Sequence, residues 1–348
     1  MRAFASDNYA GAHPEVLAAV ADANADHAIS YGDDPWTARS NAVLREHFGA
    51  DADPWLVFNG TAANVLALGA LCRTWEAVIT PATSHLHVDE AGAPERLAGV
   101  KLLTVPTPDG KLRPDDVLRL LDRIGDEHAI QPRVVSIANT TELGTVYTPD
   151  EVRALAETAH ANDLFLHVDG ARLANAAVAL GASLRDITTD AGADATSFGA
   201  TKLGALGVEA LVFLRPLDPA MKWRRKQHAQ LASKMRFLSA QVVALLEGDL
   251  WERCAAQANA MARRLADGAD RVPGVTLSRR PEANALFAVV QPPEAVEALR
   301  ERFRFYTWNE ATGEVRWMCA WDTTEQDVDA FVAAAREITG ARAPAPSR

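Results

Sequence analysis

The feature that most constrains the fold is an alternation of short apolar runs with longer segments of helical periodicity. Six of the short runs have the length and composition of buried strands, namely residues 55–58, 77–80, 133–138, 164–168, 195–198 and 209–214. Helical segments separate these runs, which is typical of βα units. The pattern therefore predicts an α/β fold built around a mostly parallel sheet.

The start of one helix can be predicted residue by residue. Thr148 has the side chain of a helix N-cap, Pro149 suits the first helical position, and Glu151 lies three residues after the cap. In this capping box the threonine and the glutamate each accept a backbone N–H that the helix itself leaves unpaired. We therefore expect a helix that begins at Pro149.

The pattern changes after about residue 238. A long helical stretch covers residues 240–266, and a second group of strands follows at residues 275–277, 285–290 and 314–319. A closing helix of about a dozen residues is expected from Thr324, because apolar side chains recur there with helical spacing. These elements predict a smaller α+β domain.

The length of the chain agrees with two unequal domains. Its 348 residues, of which 48% are apolar, exceed the roughly 250 to 300 residues at which a single core stops growing. The tail is rich in Ala and Pro, which leaves too little apolar surface to pack. The expected division is an N-terminal arm at 1–20, a large domain at 21–239, a small domain at 240–339 and a disordered tail at 340–348.

Charge and cysteine content narrow the classes of function. The formal net charge is -11, so we expect no nucleic-acid partner. The three cysteines share no metal-ligand spacing and indicate a reducing compartment. The first ten residues lack the apolar segment of a signal peptide, and no apolar run approaches the roughly 18 residues of a membrane span. We expect a cytoplasmic protein with neither a metal site nor a membrane contact.

The first candidate site follows the first predicted strand, in the segment "VFNGTAANVLALGAL". Asn59, Gly60 and Thr61 lead from the strand into a helix of small and apolar residues. The N-terminus of such a helix offers backbone N–H groups to a phosphate. The alternative is an ordinary βα turn in which Gly60 serves the backbone geometry and Thr61 is the N-cap.

A second candidate lies at the end of the predicted strand 164–168, in "LHVDGARL". A carboxylate such as Asp169 at the end of a buried strand needs a partner, because an unpaired buried charge is costly. It could hold a protonated ring nitrogen of a ligand. The alternative is an Asp that caps the following turn and pairs with Arg172.

The third candidate is Lys202 in "DATSFGATKLGALG", where small residues leave room for a flat ligand close to the backbone. A lysine there can bind phosphate, or form a Schiff base if its amine is desolvated beside other cations. The alternative is a solvated loop lysine. Taken together, a phosphate turn, a strand-end Asp and a following lysine match the needs of pyridoxal phosphate.

Nearly the whole chain resembles the low-specificity L-threonine aldolases, which have the fold type I of pyridoxal-phosphate enzymes. The similar segments run in fixed order: "FASDNYAGAHPEVL", "YGDDPWTAR", "FNGTAAN", "DEAGAPE", "TELGTVYTPDE", "HVDGARLANA", "FGATKLG", "QLASKMRFLSAQ", "RFYTW" and "MCAWDT". The resemblance implies an α/β large domain with a mostly parallel seven-stranded sheet and a small C-terminal α+β domain.

The resemblance also implies roles for individual residues. Lys202 would form the Schiff base with pyridoxal phosphate, and Asp169 would pair with the ring nitrogen. Gly60 and Thr61 would bind the phosphate. His85, five residues before Glu90, matches the histidine that stacks on the ring. Without the resemblance, this histidine reads as a polar loop residue.

Other matches concern the substrate and the neighbouring subunit. Arg172 and Arg316 match arginines that bind the substrate carboxylate, and Ser6 matches a residue that assists them. Without the resemblance, Arg316 reads as a strand residue paired with a surface acid. Tyr31 matches a residue that family dimers contribute to the neighbouring active site. The resemblance thus implies a homodimer or homotetramer with shared active sites.

The implied reaction is the cleavage of L-threonine, L-allo-threonine and related β-hydroxy-α-amino acids to glycine and an aldehyde. One departure from the family concerns the base that accepts the β-hydroxyl proton. Many members carry a histidine where this chain reads "NTTELG" at 139–144. His85, Glu142 or a bound water remain as candidates, and His85 ranks first because a stacked imidazole lies within reach of Cβ.

Two further positions stay open. Relatives often have Ser where this chain has Asn59, so the phosphate contact of that side chain is in doubt. The basic run 222–236 reads as a solvated helix face, yet its counterpart in the family lies near the subunit interface. Arg225, Lys226 or Arg236 could reach the phosphate there.

Other functions are compatible with the same lysine and aspartate. Within fold type I these are a β-eliminating lyase, a transaminase and a serine hydroxymethyltransferase. From another class, the chain could be a non-catalytic carrier of pyridoxal phosphate. Release of an aldehyde and glycine without folate or a keto acid would distinguish the aldolase from all of them.

Overall fold

The computed structural model of the chain describes residues 2–340. They form two compact units: one spans Ala12–Trp251, and the other combines the residues up to Gly11 with those from Glu252 onward. This division differs from the expected arm at 1–20 and the expected boundary at 239. The expected tail begins at Gly340, which is the last residue of a helix, and residues 341–348 lie outside the described part.

The larger unit contains a seven-stranded sheet. Its strands are β1 (Asp53–Val57), β2 (Glu76–Pro81), β3 (Lys101–Val105), β4 (Gln131–Ala138), β5 (Phe165–Asp169), β6 (Ala195–Phe198) and β7 (Glu209–Phe213). The spatial order is β1-β7-β6-β5-β4-β2-β3. Only β7 runs antiparallel to its neighbours, β1 and β6. The predicted mostly parallel seven-stranded sheet is confirmed.

Helices connect these strands and cover the sheet. They are α1 (Pro14–Asp22), α2 (Pro35–Phe48), α3 (Gly60–Leu71), α4 (His85–Val88), α5 (Pro114–Leu118), α6 (Pro149–Ala161), α7 (Leu173–Leu180), α8 (Met221–Gln227) and α9 (Arg236–Leu246). The predicted capping box of α6 is confirmed, because Thr148 accepts the N–H of Glu151 and the Glu151 side chain accepts the N–H of Thr148.

The packing of helix α3 positions the candidate phosphate-binding turn at its N-terminus. The helix is apolar on most of its surface, and Leu66 and Leu68 are buried with Val78 and Phe213 in one core cluster. Each leucine buried in this way contributes about 1.5 to 3 kcal/mol relative to an exposed side chain. This packing fixes the N-terminus of α3 at the carboxyl end of β1, at the same edge of the sheet where β2, β4, β5 and β6 end.

The smaller unit contains a four-stranded antiparallel sheet. Its strands are β8 (Val275–Arg279), β9 (Ala285–Val290), β10 (Tyr306–Asn309) and β11 (Glu314–Met318), in the order β10-β11-β9-β8. The helices are α10 (Leu250–Ala269), whose first two residues belong to the larger unit, α11 (Glu294–Arg300) and α12 (Glu325–Gly340). The prediction of an α+β C-terminal part is confirmed.

Aromatic rings fill the core of the smaller unit. Phe331 of α12 lies against Phe4 and Trp317, with ring centroids 4.8 and 4.9 Å apart. Phe4 is fully buried there, and its carbonyl accepts the N–H of Met318 at 2.9 Å. Burial of Phe4 is the physical reason why the first residues belong to this compact unit.

The predicted single helix over residues 240–266 is wrong. The structure has two helices, α9 and α10, interrupted at residues 247–249. Gly248 lies in the interruption, and glycine costs about 1 kcal/mol relative to alanine inside a helix.

None of the helices within residues 2–340 combines the length and apolarity that a membrane span needs.

Candidate active site

The ends of β5 and β6 are packed closely together. The N–H of Gly170 donates to Ser197 Oγ at 2.8 Å, and the N–H of Gly199 donates to the carbonyl of Gly170 at 3.0 Å. A Cβ at Gly170 would lie 1.9 Å from the carbonyl oxygen of Ser197, so only glycine fits there. This contact brings the segment that carries Lys202 alongside the end of β5.

Asp169 is a buried, charged residue at the end of β5. Its Oδ1 accepts the N–H of Ala171 at 3.0 Å, and its Oδ2 accepts the Asn64 amide at 2.8 Å. Burial works to raise the pKa of Asp169, but these hydrogen bonds and the nearby histidines His167 and His85 lower it below its ordinary value. The bond to Ala171 supports the turn-capping alternative, and the carboxylate has the charge that a ring-nitrogen partner needs.

Lys202 lies in a short 3-10 helix, Thr201–Leu203, directly after β6. Its side chain is partly buried. Glu209, at the start of β7, is 5% exposed and accepts the N–H of Ala200 at 2.8 Å. Ala200 lies two residues before Lys202 in the chain. Burial raises the pKa of Glu209 to about 7, and the charge of Lys202 opposes this rise. The carboxyl group of Glu209 and the amine of Lys202 therefore interact electrostatically.

His85 is the first residue of α4, after the end of β2. Its side chain is 46% exposed, and its Nδ1 lies 3.0 Å from Glu90 Oε1. The hydrogen bond to Glu90 raises the pKa of His85; burial and Lys202 oppose this effect, and Asp169 reinforces it. The imidazole is therefore more basic than usual and about half exposed.

Glu142, the second candidate base, lies next to His85. Its Oε1 accepts the N–H of His85 at 2.7 Å. Burial raises the pKa of Glu142 to about 7, while hydrogen bonds from the backbone of His85 and of Glu142 itself work against the rise. The structure therefore brings both candidate side chains to the same edge of the sheet.

The N-terminus of α3 has the geometry of an anion site. Asn59 is the N-cap, and its side chain accepts the N–H of Ala62 at 2.9 Å, so the alternative in which Thr61 is the N-cap is wrong. The N–H groups of Gly60 and Thr61 have no acceptor within the helix, as in any first turn. A Cβ at Gly60 would meet no heavy atom of the described chain within 4 Å, so open space lies in front of this turn.

Two residues of the site were missed by sequence reasoning. Asn64 is 2% exposed and donates to both Asp169 and Glu90, and Glu209 contacts the segment of Lys202. The available signal was a polar residue inside an apolar run, in "TAANVLAL" and "GVEALVF". Such a residue has to find a partner in the core.

Arg172 and Tyr31 belong to the same unit as Lys202. Arg172 occupies the position before α7, three residues after Asp169. Tyr31 is 52% exposed, has a left-handed backbone with φ of 65°, and donates its N–H to the carbonyl of Ser233 at 2.9 Å. Its ring lies 5.4 Å from Nζ of Lys226.

Ser6 and Arg316 belong to the other unit and lie near each other within it. Ser6 caps a 3-10 turn by accepting the N–H of Asn8 at 3.2 Å. Arg316 on β11 donates to the carbonyl of Ala5 at 3.2 Å, and its guanidinium lies 4.8 Å from the Trp308 ring centroid.

The candidates of the basic run have different surroundings. Arg236 donates to the carbonyls of Ala25 and Asp26, at 3.2 and 2.9 Å. Arg225 donates to the carbonyl of Leu56 in β1 at 3.5 Å. Leu56 lies three residues before Asn59, where the proposed phosphate-binding turn begins. Burial lowers the pKa of Arg225, and its Nε has no hydrogen-bond partner within residues 2–340.

Comparisons with known proteins identify the family of the chain. A family model described as β-eliminating lyase matches residues 3–292. Low specificity L-threonine aldolases of Pseudomonas aeruginosa and of Pseudomonas sp. strain NCIMB 10558 are each 46% identical over 341 residues, which cover 97% of this chain and 98% of each relative.

Solved structures are similar to this chain in fold. A threonine aldolase of Leishmania major has a TM-score of 0.91 and 32% identity, with 97% of this chain and 100% of that chain covered. A putative L-allo-threonine aldolase of Listeria monocytogenes shares the fold with a TM-score of 0.73 at 17% identity, over 94% and 95% of the two chains. The chain belongs to the β-eliminating lyase family and, by likeness over nearly its full length, to the low-specificity L-threonine aldolases within it.

Proposed function

We propose that this lyase binds pyridoxal phosphate and cleaves L-threonine, L-allo-threonine and related β-hydroxy-α-amino acids between Cα and Cβ. The products are glycine and an aldehyde, acetaldehyde in the case of threonine. The observation that carries the proposal is the close packing of the β5 and β6 ends, which brings Lys202 alongside the charged Asp169. The comparisons give no support to a transaminase, a hydroxymethyltransferase or a non-catalytic carrier.

The groups at the site fit the cofactor. Lys202 provides a primary amine and Asp169 a buried anion. The first turn of α3 provides backbone donors with open space in front of Gly60. His85 provides a partly exposed ring that can lie against a flat ligand. These are the four functions that a phosphorylated pyridine aldehyde requires of a protein.

Pyridoxal phosphate, when bound, supplies an aldehyde carbon and an electron-accepting ring. The chain's own residues set the conditions for that chemistry. Asp169 holds a proton on the ring nitrogen, since a charged carboxylate in a buried site favours a cationic partner. Gly60 and Thr61 bind the phosphate through their backbone N–H groups. Lys202 would hold the cofactor through its primary amine.

Arg172, three residues after Asp169 in the same unit, is the arginine that would bind the substrate carboxylate. The roles that the resemblance implies for Arg316 and Ser6 stay predictions. A guanidinium binds a carboxylate through two parallel hydrogen bonds, which restricts rotation of the amino acid. That restriction selects the conformer whose Cα–Cβ bond is the one to break.

His85 accepts the β-hydroxyl proton. Its Nδ1 faces the Glu90 carboxylate and therefore carries a hydrogen, which leaves the lone pair on Nε2. Nε2 would take the proton as the Cα–Cβ bond breaks: the hydroxyl oxygen becomes the aldehyde oxygen, and the bound cofactor would accept the electron pair left on Cα. The raised pKa of His85 increases the driving force for this transfer. Glu142, with a pKa of about 7, is the alternative acceptor.

We further propose a cytoplasmic enzyme that is at least a homodimer, with Tyr31 contributed to the neighbouring active site. Tyr31, Ile29 and Phe58 are among the exposed large hydrophobic side chains of the unit that carries Lys202. Exposed aromatic and aliphatic side chains of this size are typical of interfaces. Sedimentation of the purified protein and of Tyr31→Ala would test the assembly.

The test of the function compares wild type with Lys202→Ala. We expect wild type to show the visible absorbance band of the bound cofactor and to release acetaldehyde from L-threonine without a keto acid. Lys202→Ala should do neither. A band without aldehyde would contradict the aldolase activity, and the lack of any band in wild type would contradict the cofactor assignment.

A further inference from the structure

Asn64 joins two buried carboxylates. It lies in the second turn of α3, and its amide nitrogen Nδ2 donates to Asp169 Oδ2 at 2.8 Å and to Glu90 Oε1 at 2.9 Å. All three residues are at most 8% exposed. One NH₂ group thus divides its two hydrogens between carboxylates that come from different parts of the chain.

The orientation of this amide follows from chemistry. A flipped amide would point its oxygen at two carboxylates, and three acceptors would then face each other without a hydrogen. In the observed orientation, Asn64 Oδ1 and Glu90 Oε2 are buried and lack a hydrogen-bond partner within the described residues 2–340. Buried acceptors without a partner are uncommon. We therefore attribute the orientation of the Asn64 side chain to its two hydrogen bonds to the carboxylates.

Glu90 extends the contact to His85. Its Oε1 accepts from Asn64 and also lies 3.0 Å from His85 Nδ1. A continuous hydrogen-bonded chain therefore runs from Asp169 through Asn64 and Glu90 to His85. The charged groups that act on His85 from the surrounding elements are Glu90, Asp169 and Lys202. Glu142 accepts the His85 backbone N–H.

We propose that Asn64 is a positioning residue that holds Asp169 and Glu90 in place and, through Glu90, fixes the tautomer and basicity of His85. The consequence for catalysis rests on the proposed function. A shared amide donor stabilises both anions without adding a charge. Asn64 therefore allows one carboxylate to act on the ring nitrogen and the other on the imidazole.

The contact makes opposite predictions for two substitutions. In Asn64→Leu, Glu90 Oε1 loses one of its two donors and acts on the imidazole alone, so His85 should titrate at higher pH. In Glu90→Gln, the anion is removed and His85 should titrate at lower pH. An asparagine that only fills space predicts no change for Asn64→Leu.

The measurement is the pH dependence of His85 acylation by diethyl pyrocarbonate, which reacts with the neutral imidazole, followed by mass spectrometry of the peptide. It is made on the full chain, both without and with pyridoxal phosphate. The matched control is Asn284→Leu, because Asn284 is a buried amide that donates to Asp7 Oδ2 at 3.1 Å in the other unit. Asn284→Leu should leave the His85 profile unchanged.

Asn64→Ser retains one donor and should shift the His85 profile in the same direction as Asn64→Leu by a smaller amount. This second variant keeps the test valid if the leucine variant fails to fold.

The dissociation constant of pyridoxal phosphate should rise about tenfold in Asn64→Leu, since the Asp169 carboxylate loses a hydrogen bond. A His85 profile that is unchanged in both Asn64 variants, or that moves as in Glu90→Gln, overturns the proposal. If wild type binds no cofactor, the proposed function fails, whereas the profile of the cofactor-free chain still tests the role of Asn64.

Discussion

The seven-stranded and the four-stranded sheet bury different kinds of side chain. In the first, carboxylates are buried at strand ends, with Asp169 at the end of β5 and Glu209 at the start of β7. In the second, aromatic rings fill the core, and an ion pair such as Arg302–Glu337 lies on side chains that are 47% and 64% exposed.

The difference follows from topology. Parallel strands with helical connections bring many strand ends and helix N-termini to one edge, where backbone N–H groups and amides can stabilise a buried charge. Antiparallel strands joined in a small sheet offer one face to a helix and fill it with apolar side chains. Substitutions should therefore affect catalysis and pH dependence in the first region, and stability alone in the core of the second.

The largest expected effect is that of Asp169→Asn. The amide preserves the size of the side chain and can still accept from Ala171, but it removes the charge. We expect kcat to fall about 10²- to 10³-fold, in the range for loss of a buried electrostatic partner. Stability should also fall, by about 1 to 3 kcal/mol, because an amide that accepts from Ala171 turns its NH₂ toward the Asn64 donor. Steady-state kinetics and urea unfolding of the same preparation provide both values, and a near-normal kcat would contradict the ring-nitrogen role.

The next effect concerns the aromatic core of the smaller unit. Phe331→Ala removes a ring that is 1% exposed and packs against Phe4 and Trp317. We expect a loss of about 3 to 5 kcal/mol in the free energy of unfolding. Phe331→Leu is the control, with a smaller loss because more of the volume is retained. A near-neutral Phe331→Ala would show that the aromatic core contributes less than its burial indicates.

A pH-dependent effect is expected at Glu209. Burial raises its pKa from 4.5 to about 7, so the folded chain binds more protons than the unfolded chain between these values. Stability should therefore fall as the pH rises from about 5 to about 8, by up to about 3 kcal/mol from this group. Glu209→Gln should remove that decrease.

Urea unfolding of wild type and Glu209→Gln at pH 5 and pH 8 checks this prediction. The control is Glu337→Gln, an exposed carboxyl in the smaller unit, which should retain the wild-type pH dependence. Equal pH dependence of wild type and Glu209→Gln would contradict it.

The smallest effect is expected for Arg302→Ala. Its ion pair with Glu337 lies on exposed side chains, where solvent screens the charges. We expect no measurable change in the urea midpoint or in kcat. A clear loss of stability would mean that this pair is part of a larger network and would weaken the contrast between the two regions.

The strands that sequence reasoning located most accurately are apolar on both faces. Strands β6 and β9 begin and end where the pattern predicted, since β6 is buried along its length and β9 at all positions except Val289. Strands β3 and β10 were not predicted. Both lie at an edge of their sheet, and their side chains are partly or fully exposed, so their sequences contain charged and polar residues.

Those residues of the candidate site that follow directly on a predicted strand could be predicted from one sequence segment. The turn at Gly60, the aspartate at the end of β5 and the lysine after β6 each follow an apolar run, and the carboxyl ends of parallel strands collect ligands. Asn64 and Glu209 were not predicted, because the period of a helix or strand shows that a residue is buried but not which group it meets.

The sequence by itself determined the βα order, the small C-terminal α+β part and the strand ends that carry Lys202 and Asp169. Only the tertiary structure decided that Asn64 meets Glu90, 26 positions away, and Asp169, 105 positions away. Contacts of this kind depend on strand register and on the packing of α3 against the sheet. These are set by the whole core at once, whereas periodicity describes one segment at a time.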